Sequence, residues 1–214
     1  MQTLSLVEGL YLYPTPAGAF YATASQTADK ARDFLLNLLK QQQTPALTLV
    51  NLQKLTGIAE PEKAMEQLLH CQKLGWVQGV DNPLTVPGGT IEDLLPDLLA
   101  KISEHNKVLL ADEQGFYLVC SGFPHEVAEE LSALSAELAS VYARRSGLLM
   151  NNMGIFSQAW AIVDAWGHSQ IGCWPLFIGN QRFVLVISGV PHFNHAEFVT
   201  LVWMLITRYL KTSN

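Results

Sequence analysis

The sequence predicts an α+β fold, and three observations lead to that prediction. Two apolar runs, Val108 to Ala111 and Phe116 to Cys120, flank the turn sequence Asp-Glu-Gln-Gly at 112–115. Aspartate followed by a glycine that accepts positive φ suits a tight hairpin turn. Apolar residues then recur three or four positions apart from Val127 to Val141, which is the spacing of one helix face. Three further strand-like runs and a last helix follow, so the order is strand, strand, helix, strand, strand, strand, helix.

The later strands are predicted where apolar residues cluster between turn sequences rich in Gly and Asn, at Ala159–Asp164, Ser169–Ile178 and Arg182–Ser188. Gly172 and Pro175 lie within the second of these runs and indicate a bulge or an edge there. The closing helix is predicted from Asn194. Ahead of the hairpin, Pro96 interrupts an apolar run, so a leading helix is predicted only from Asp97 to about Glu104.

The first half of the sequence begins with a predicted hairpin. Gly9–Tyr13 and Ala19–Thr23 alternate like strands around the turn-forming residues Pro14–Gly18. A helix is predicted next, because Ser25 or Thr27 can cap the amphipathic run that follows.

Two more helices are predicted before a pair of short strands. One runs from Thr48 through Leu55, and the next begins at Pro61 and ends at Gly75. The strands Trp76–Val80 and Leu84–Val86 are predicted to pair as a hairpin. Three helices followed by such a two-stranded wing resemble the winged-helix arrangement.

The best linker sequence is Pro-Gly-Gly at 87–89. The sequence therefore predicts an N-terminal domain at 1–86, made of a hairpin and a winged-helix-like region, and a second domain at 90–214.

Residues 90–211 resemble a roadblock/LC7 domain, the family of dynein light chain-related and GTPase-associated modules. The resemblance rests on the leading helix, the hairpin with Asp112 and Gly115 at its turn, the Ala-, Leu- and Ser-rich helix Glu126–Arg145, and the three strands with a closing helix. It implies a five-stranded antiparallel sheet with helices packed on it. Members of this family commonly dimerise by aligning sheet edges and pairing their middle helices, and many bind or regulate small Ras-like GTPases.

The middle helix also favours a homodimer on its own residues. Leu131, Leu134 and Leu138 share one face, while small side chains occupy the others. Small side chains let a second helix approach closely, although alanine is also a good helix former on a solvent-facing surface. The sequence predicts that the interface includes Ala128, Ser132, Ser135, Ala136 and Ala139.

Composition and motifs exclude several classes of function. The formal net charge is −6, so the basic surplus used for nucleic-acid binding is missing. The third predicted helix carries Glu62 and Glu66 where a DNA-reading helix needs basic or amide side chains. No phosphate-binding loop, nucleophile elbow or paired catalytic carboxylates are recognisable. His192 and His195 lack further ligands at a matching spacing. The sequence therefore predicts no enzyme, no cofactor and no metal.

Three widely spaced cysteines favour a reducing compartment, and neither a signal peptide nor a transmembrane stretch is apparent. We therefore expect a cytoplasmic, non-enzymatic protein–protein interaction module that forms a homodimer and binds or regulates a small Ras-like GTPase. The sequence leaves two alternatives open. One is a winged-helix transcriptional regulator dimerised by its C-terminal domain, and the other is a small-molecule sensor.

Overall fold

The computed structural model describes residues 5–210, so the predicted limits at residues 1, 211 and 214 lie outside the described part of the chain. The chain forms two compact units. The second unit is Gly89–Glu197, and the first unit contains the residues up to Gly88 together with those from Phe198 onward.

In the described residues up to Gly88, four consecutive helices lie between two short strands along the chain: β1 (Tyr11–Pro14), α1 (Pro16–Thr23), α2 (Lys30–Leu39), α3 (Leu49–Thr56), α4 (Pro61–Lys73) and β2 (Val77–Val80). The three predicted helices are confirmed as α2, α3 and α4. Their caps explain their limits, since Thr48 accepts the N–H of Asn51 at the start of α3 and Gly57 ends that helix with φ +70°. The predicted cap of α2 at Ser25 or Thr27 is wrong, because Asp29 caps this helix and accepts the N–H of Ala31.

Two further predictions for the first unit are wrong. Residues 19–23 are helical, because the Thr15 side chain accepts the N–H of Gly18 and Pro16 opens α1 at its first position. The predicted pairing of Trp76–Val80 with Leu84–Val86 is also wrong. Instead, β2 pairs antiparallel with β1, with Tyr11 opposite Val80.

The segment predicted as the second wing strand lies elsewhere in the first unit. The N–H of Thr44 donates to Leu84 O at 2.8 Å, and the N–H of Val86 donates to Gln42 O at 3.0 Å. The winged-helix interpretation thus keeps its three helices and loses its hairpin.

The second unit has the order of elements predicted for it: α5 (Ile91–Lys101), β3 (Val108–Ala111), β4 (Tyr117–Ser121), α6 (His125–Gly147), β5 (Trp160–Val163), β6 (Ser169–Ile178) and β7 (Gln181–Ser188). Its strands form a five-stranded sheet in the order β4-β3-β7-β6-β5, and every neighbouring pair is antiparallel. The predicted α+β class and antiparallel sheet are confirmed. The edge strands of this sheet are β4 and β5.

The leading helix is longer than predicted. Pro96 lies inside α5 rather than before it. Proline removes one backbone hydrogen bond from a helix interior, but Leu95 and Leu99 are fully buried on the same helix and hold it against the sheet. The cap at Thr90, which accepts the N–H of Asp93 at 3.2 Å, fixes the start of the helix.

The hairpin between β3 and β4 has the predicted turn. Asp112 Oδ1 accepts the N–H of Gln114 at 2.9 Å and the N–H of Phe116 at 3.0 Å. Gly115 has φ +89°, a conformation that side chains other than glycine rarely adopt. The hairpin lies against α6, whose buried contacts with the sheet form a cluster of Leu109, Ala111, Ala128, Cys173, Val184 and Val186. A π-helical turn, Leu148–Asn152, continues α6 beyond its last regular turn.

The last helix, α7 (Ala196–Tyr209), belongs from Phe198 onward to the first unit rather than with the sheet-containing domain predicted at 90–214. Side-chain contacts account for this. The Trp203 indole N–H donates to Gln41 O at 2.7 Å, and the Trp203 ring meets Tyr13 edge to face. Phe198 contacts the ring of Phe20.

Candidate protein–protein interface

The small residues predicted to form an interface point mostly into the protein itself. Ala128, Ser132 and Ser135 are at most 1% exposed, and Ala136 and Ala139 are half-buried. A fully buried side chain has no surface to offer a second molecule, so of the predicted set only Ala136 and Ala139 have exposed surface. The interface itself stays a prediction.

The physical reason is that the small face of α6 packs on its own sheet and hairpin. A Cβ on Gly115 would lie 3.2 Å from Ala133 Cα and 3.3 Å from Ala136 Cβ, so the hairpin and the helix touch closely. The two buried hydroxyls on this face are satisfied within the helix. Ser132 donates to Ala128 O at 2.7 Å, and Ser135 donates to Ser132 O at 2.8 Å.

The outward face of α6 is apolar instead. Val127, Leu134 and Val141 are 40%, 43% and 39% exposed. They are spaced seven residues apart, so they follow one stripe along the helix. Leu131 and Leu138 are half-buried beside this stripe and also contact the core cluster.

Strand β5 continues this apolar surface at the edge of the sheet. All four of its residues are exposed, and three of them, Trp160, Ile162 and Val163, are large and hydrophobic. Among the described strands only β6 pairs with β5, so one side of its backbone is open. We call the stripe and this strand together the α6–β5 surface (Val127, Leu134, Val141, Trp160, Ile162 and Val163).

A groove of about 140 Å³ separates the stripe from the strand. Leu131, Leu134 and Leu138 line one side, and the backbone and side chains of residues 160–162 line the other. Cys173 lies at its base, where burial raises the pKa of its thiol to about 11. The thiol therefore stays protonated at neutral pH and acts as a small apolar group.

Charges are arranged asymmetrically along α6. Four exposed glutamates, Glu126, Glu129, Glu130 and Glu137, lie in its first two thirds, and the exposed Arg144 and Arg145 lie in its last turn. These positions suit the helix dipole. They also make one end of the stripe acidic and the other basic.

Within residues 5–210, no group of three or more His, Cys, Asp or Glu side chains is placed to hold a metal ion. No helix in the same range combines the length and apolar character needed to span a bilayer. The hydroxyl of Tyr117 lies 2.6 Å from His125 Nδ1, and the other ring nitrogen of His125 lies 3.4 Å from Glu129, all on the exposed surface.

The sequence prediction places small residues of α6 at the interface, whereas the exposed large apolar residues lie on the leucine-bearing face of the helix. Trp160 of β5 is 39% exposed. The usable signal was the unbroken apolar sequence of residues 159–163, because a strand with both faces apolar is either central or covered by another chain.

These features define a class of protein: an α+β chain whose antiparallel sheet ends in an open apolar edge beside an apolar helix stripe. No protein-family model matches the sequence, and no curated protein matches it. Among solved structures, the chain is similar to a Roadblock/LC7 domain from Streptomyces avermitilis, with 12% identity and a TM-score of 0.34, over 53% of this chain and 88% of that one. It is also similar to Myxococcus xanthus MglB, with 18% identity and a TM-score of 0.31, over 53% of this chain and 85% of that one.

Proposed function

We propose that this chain is a non-enzymatic protein–protein interaction module that forms a homodimer through the α6–β5 surface. The observation that carries the proposal is that three exposed apolar side chains, Leu134, Trp160 and Ile162, line one groove between the helix and the edge strand. Val127 and Val141 extend the exposed apolar stripe along the helix. Contiguous apolar surface on a folded protein marks an interaction site, and an unpaired strand edge offers backbone groups to a second strand.

The residue spacing favours a second copy of this chain as the occupant. Val127 and Val141 lie at equal distances on either side of Leu134 (134 − 127 = 141 − 134 = 7). Two antiparallel copies of α6 that cross at Leu134 would therefore place Val127 of one copy opposite Val141 of the other. A two-fold interface requires this kind of self-complementarity.

The charges on α6 favour the same orientation. In an antiparallel pair, the acidic first half of one helix lies along the basic last turn of the other, whereas a parallel pair places like charges side by side. The open edges of β5 would then meet, and the two sheets would continue into one another.

The proposed partner of this dimer is a small Ras-like GTPase. Support comes from the resemblance to the roadblock/LC7 family, which rests on the order of elements from α5 to α7 and on the Asp112–Gly115 turn. Regulation of such a GTPase would act through its nucleotide-dependent switch segments. The proposal places this activity in the cytoplasm, consistent with the three free cysteines of the chain.

Light scattering coupled to gel filtration tests the dimer. The 214-residue chain is expected to have twice its 23.6 kDa mass at micromolar concentration and to dissociate on dilution. A monomer throughout the micromolar range would overturn the proposal of a homodimer.

A binding assay with GTPases tests the partner. Immobilised full-length protein is exposed to purified Ras-like GTPases from its own source organism, each loaded with GDP or with a non-hydrolysable GTP analogue. Binding that depends on the nucleotide state is expected. Absence of binding to every such GTPase in both states would overturn this part of the proposal and leave the homodimer standing.

A further inference from the structure

The opposite edge of the sheet carries a second surface, which the proposed dimer does not use. Strand β4 is the last strand on that side, and among the described strands only β3 pairs with it. The backbone bonds fix which residues face outward. Asp112 donates to Phe116 O toward β4, and Ser188 donates to Lys107 O toward β7, so the even-numbered residues of β3 bond to β4.

The register then identifies the free backbone groups of β4. Val108 lies opposite Ser121 and Leu110 opposite Val119, and these are the pairs bonded to β3. Cys120 therefore directs its N–H and C=O away from β3. Leu118 is the extra residue at the register shift next to Leu110. No charged residue or proline occurs in Tyr117–Ser121, although such residues commonly protect an exposed edge.

A groove runs along this edge. Its volume is about 370 Å³, within the range of about 300–1,000 Å³ that is usual for ligand sites. Four consecutive residues of β4, Tyr117 to Cys120, form its floor. Glu92 and Pro96 of α5 form one wall, and Phe123 and His125 at the start of α6 form the other.

The groove is apolar at its base, where Leu118, Val119 and Phe123 line it, and its rim carries one acidic side chain, that of Glu92. Among the described residues that line it, none is a lysine or an arginine. The exposed Asp93 and Glu126 are near these walls in sequence but do not line the groove. His125 is already engaged by Tyr117 and Glu129.

We propose that the β4 groove binds an extended segment of a partner protein that adds to the sheet as a further strand and carries lysine or arginine between apolar residues. Free backbone groups on Cys120 provide the hydrogen bonds, the groove accepts the apolar side chains, and the acidic rim selects basic ones. Strand addition beside a helix is an established way to read an extended peptide. The inference goes beyond the proposed homodimer and does not depend on it.

The test uses the 214-residue chain and a fluorescent, end-capped peptide of alternating lysine and valine. Anisotropy is expected to show binding at or below about 1 mM, the affinity range of short peptides that gain a few kcal/mol on binding. Backbone amide shifts in an NMR titration are expected at Leu118–Ser121 and not in β5. A matched glutamate–valine peptide is expected to bind at least about tenfold more weakly. A lysine–valine peptide with a central proline is also expected to lose about tenfold, because proline cannot donate to the ladder.

Two variants separate the groove from the fold. Glu92→Lys is expected to weaken the lysine–valine peptide several-fold, whereas Glu62→Lys, an exposed glutamate on α4, is expected to leave binding unchanged. Cys120→Pro removes the outward N–H and is expected to abolish binding. If that variant does not fold, Glu92→Lys alone still tests the groove.

Several results would overturn the proposal. These are equal binding of the lysine and glutamate peptides, equal binding of the proline peptide, amide shifts confined to regions outside β4, and no binding up to about 1 mM. Binding of a second copy of this chain in the groove would also overturn it. In that case the Leu134→Glu variant would still self-associate, and adding Cys120→Pro would abolish this self-association. Peptide binding by Leu134→Glu is expected to be intact, so failure of the homodimer and failure of the groove are distinguishable.

Discussion

The two edges of the sheet differ in what surrounds them more than in the strands themselves. Both β4 and β5 are short, uncharged and free of proline. Strand β5 is exposed along its whole length and lies beside an apolar stripe of α6, whereas β4 exposes only Leu118 and lies at the bottom of a groove with an acidic rim. The exposed apolar edge at β5 suits the same edge of a second copy, whereas the recessed edge at β4 suits a single extended peptide strand. Flanking helices therefore give one sheet two different binding surfaces.

The largest expected effect comes from Leu134→Glu. In the proposed dimer this change buries two carboxylates against each other, so the dissociation constant is expected to rise at least about a hundredfold, or ~3 kcal/mol. Sedimentation or light scattering measures it. Val50→Glu alters a residue that is 74% exposed in the first unit and is expected to leave the dimer intact. An unchanged dissociation constant for Leu134→Glu would show that α6 and β5 do not form the interface.

Ser132→Leu tests the inward face of α6. The hydroxyl is fully buried, so a larger side chain is expected to lower the free energy of unfolding by about 1–3 kcal/mol. Urea unfolding measures this, and Ser140→Leu on the exposed side of the same helix is the matched control. If Ser132→Leu instead weakened the dimer at unchanged unfolding free energy, the small face would be an interface after all.

Reversing both Arg144 and Arg145 to glutamate tests the orientation of the helices. An antiparallel pair loses attraction between exposed charges, so the dissociation constant is expected to rise roughly fivefold, or ~1 kcal/mol. The effect should shrink at high salt because exposed charges are screened. Replacing both Lys63 and Lys73 of α4 by glutamate changes the net charge by the same amount and provides the control. Tighter dimerisation of the double variant would indicate a parallel pair.

The smallest effect is expected away from both edges, at the Lys101–Glu197 ion pair, whose Nζ–Oε1 distance is 2.8 Å. The Lys101 hydrogen bond lowers the pKa of Glu197 from 4.5 to about 2. A carboxyl with a lowered folded pKa stabilises the fold above its unfolded pKa and loses that contribution as the pH falls through its folded pKa. Glu197→Gln should therefore be slightly less stable than wild type above pH 4.5, and the two curves should converge near pH 2.

Acid unfolding of the two proteins measures this difference, and their dimer dissociation constants at neutral pH should be equal. A difference in stability that persisted at the acid end would show that the carboxylate's charge is not the cause.

Local sequence signals sufficed for the sheet because each strand is a run of apolar residues between turns. The segments 108–111, 169–178 and 182–188 needed no knowledge of their neighbours. The strand prediction for residues 19–23 was wrong because the alternation of their side chains is typical of a strand, whereas the cap at Thr15 and Pro16 specifies a helix. Glycine is required at position 18 by a residue far away in the sequence, since a Cβ on Gly18 would lie 2.0 Å from the carbonyl oxygen of Trp76.

The interface was harder to predict because a helix has two faces and composition does not say which one is buried. In most amphipathic helices the face with large apolar residues is the buried one. Close approach of the hairpin at Gly115 instead requires small side chains on the inward face. That constraint comes from tertiary packing, so no periodicity in the helix sequence reveals it.

The place of α7 affects how the chain can be divided. The indole of Trp203 meets Tyr13 and donates to Gln41 O, so residues far earlier in the chain depend on α7 to complete their packing. A fragment stopping at Gly88 would lack this helix, and a fragment starting at Gly89 would carry it without those contacts. Producing the two units separately therefore requires a circularly permuted chain, in which α7 is joined to the segment that it packs against.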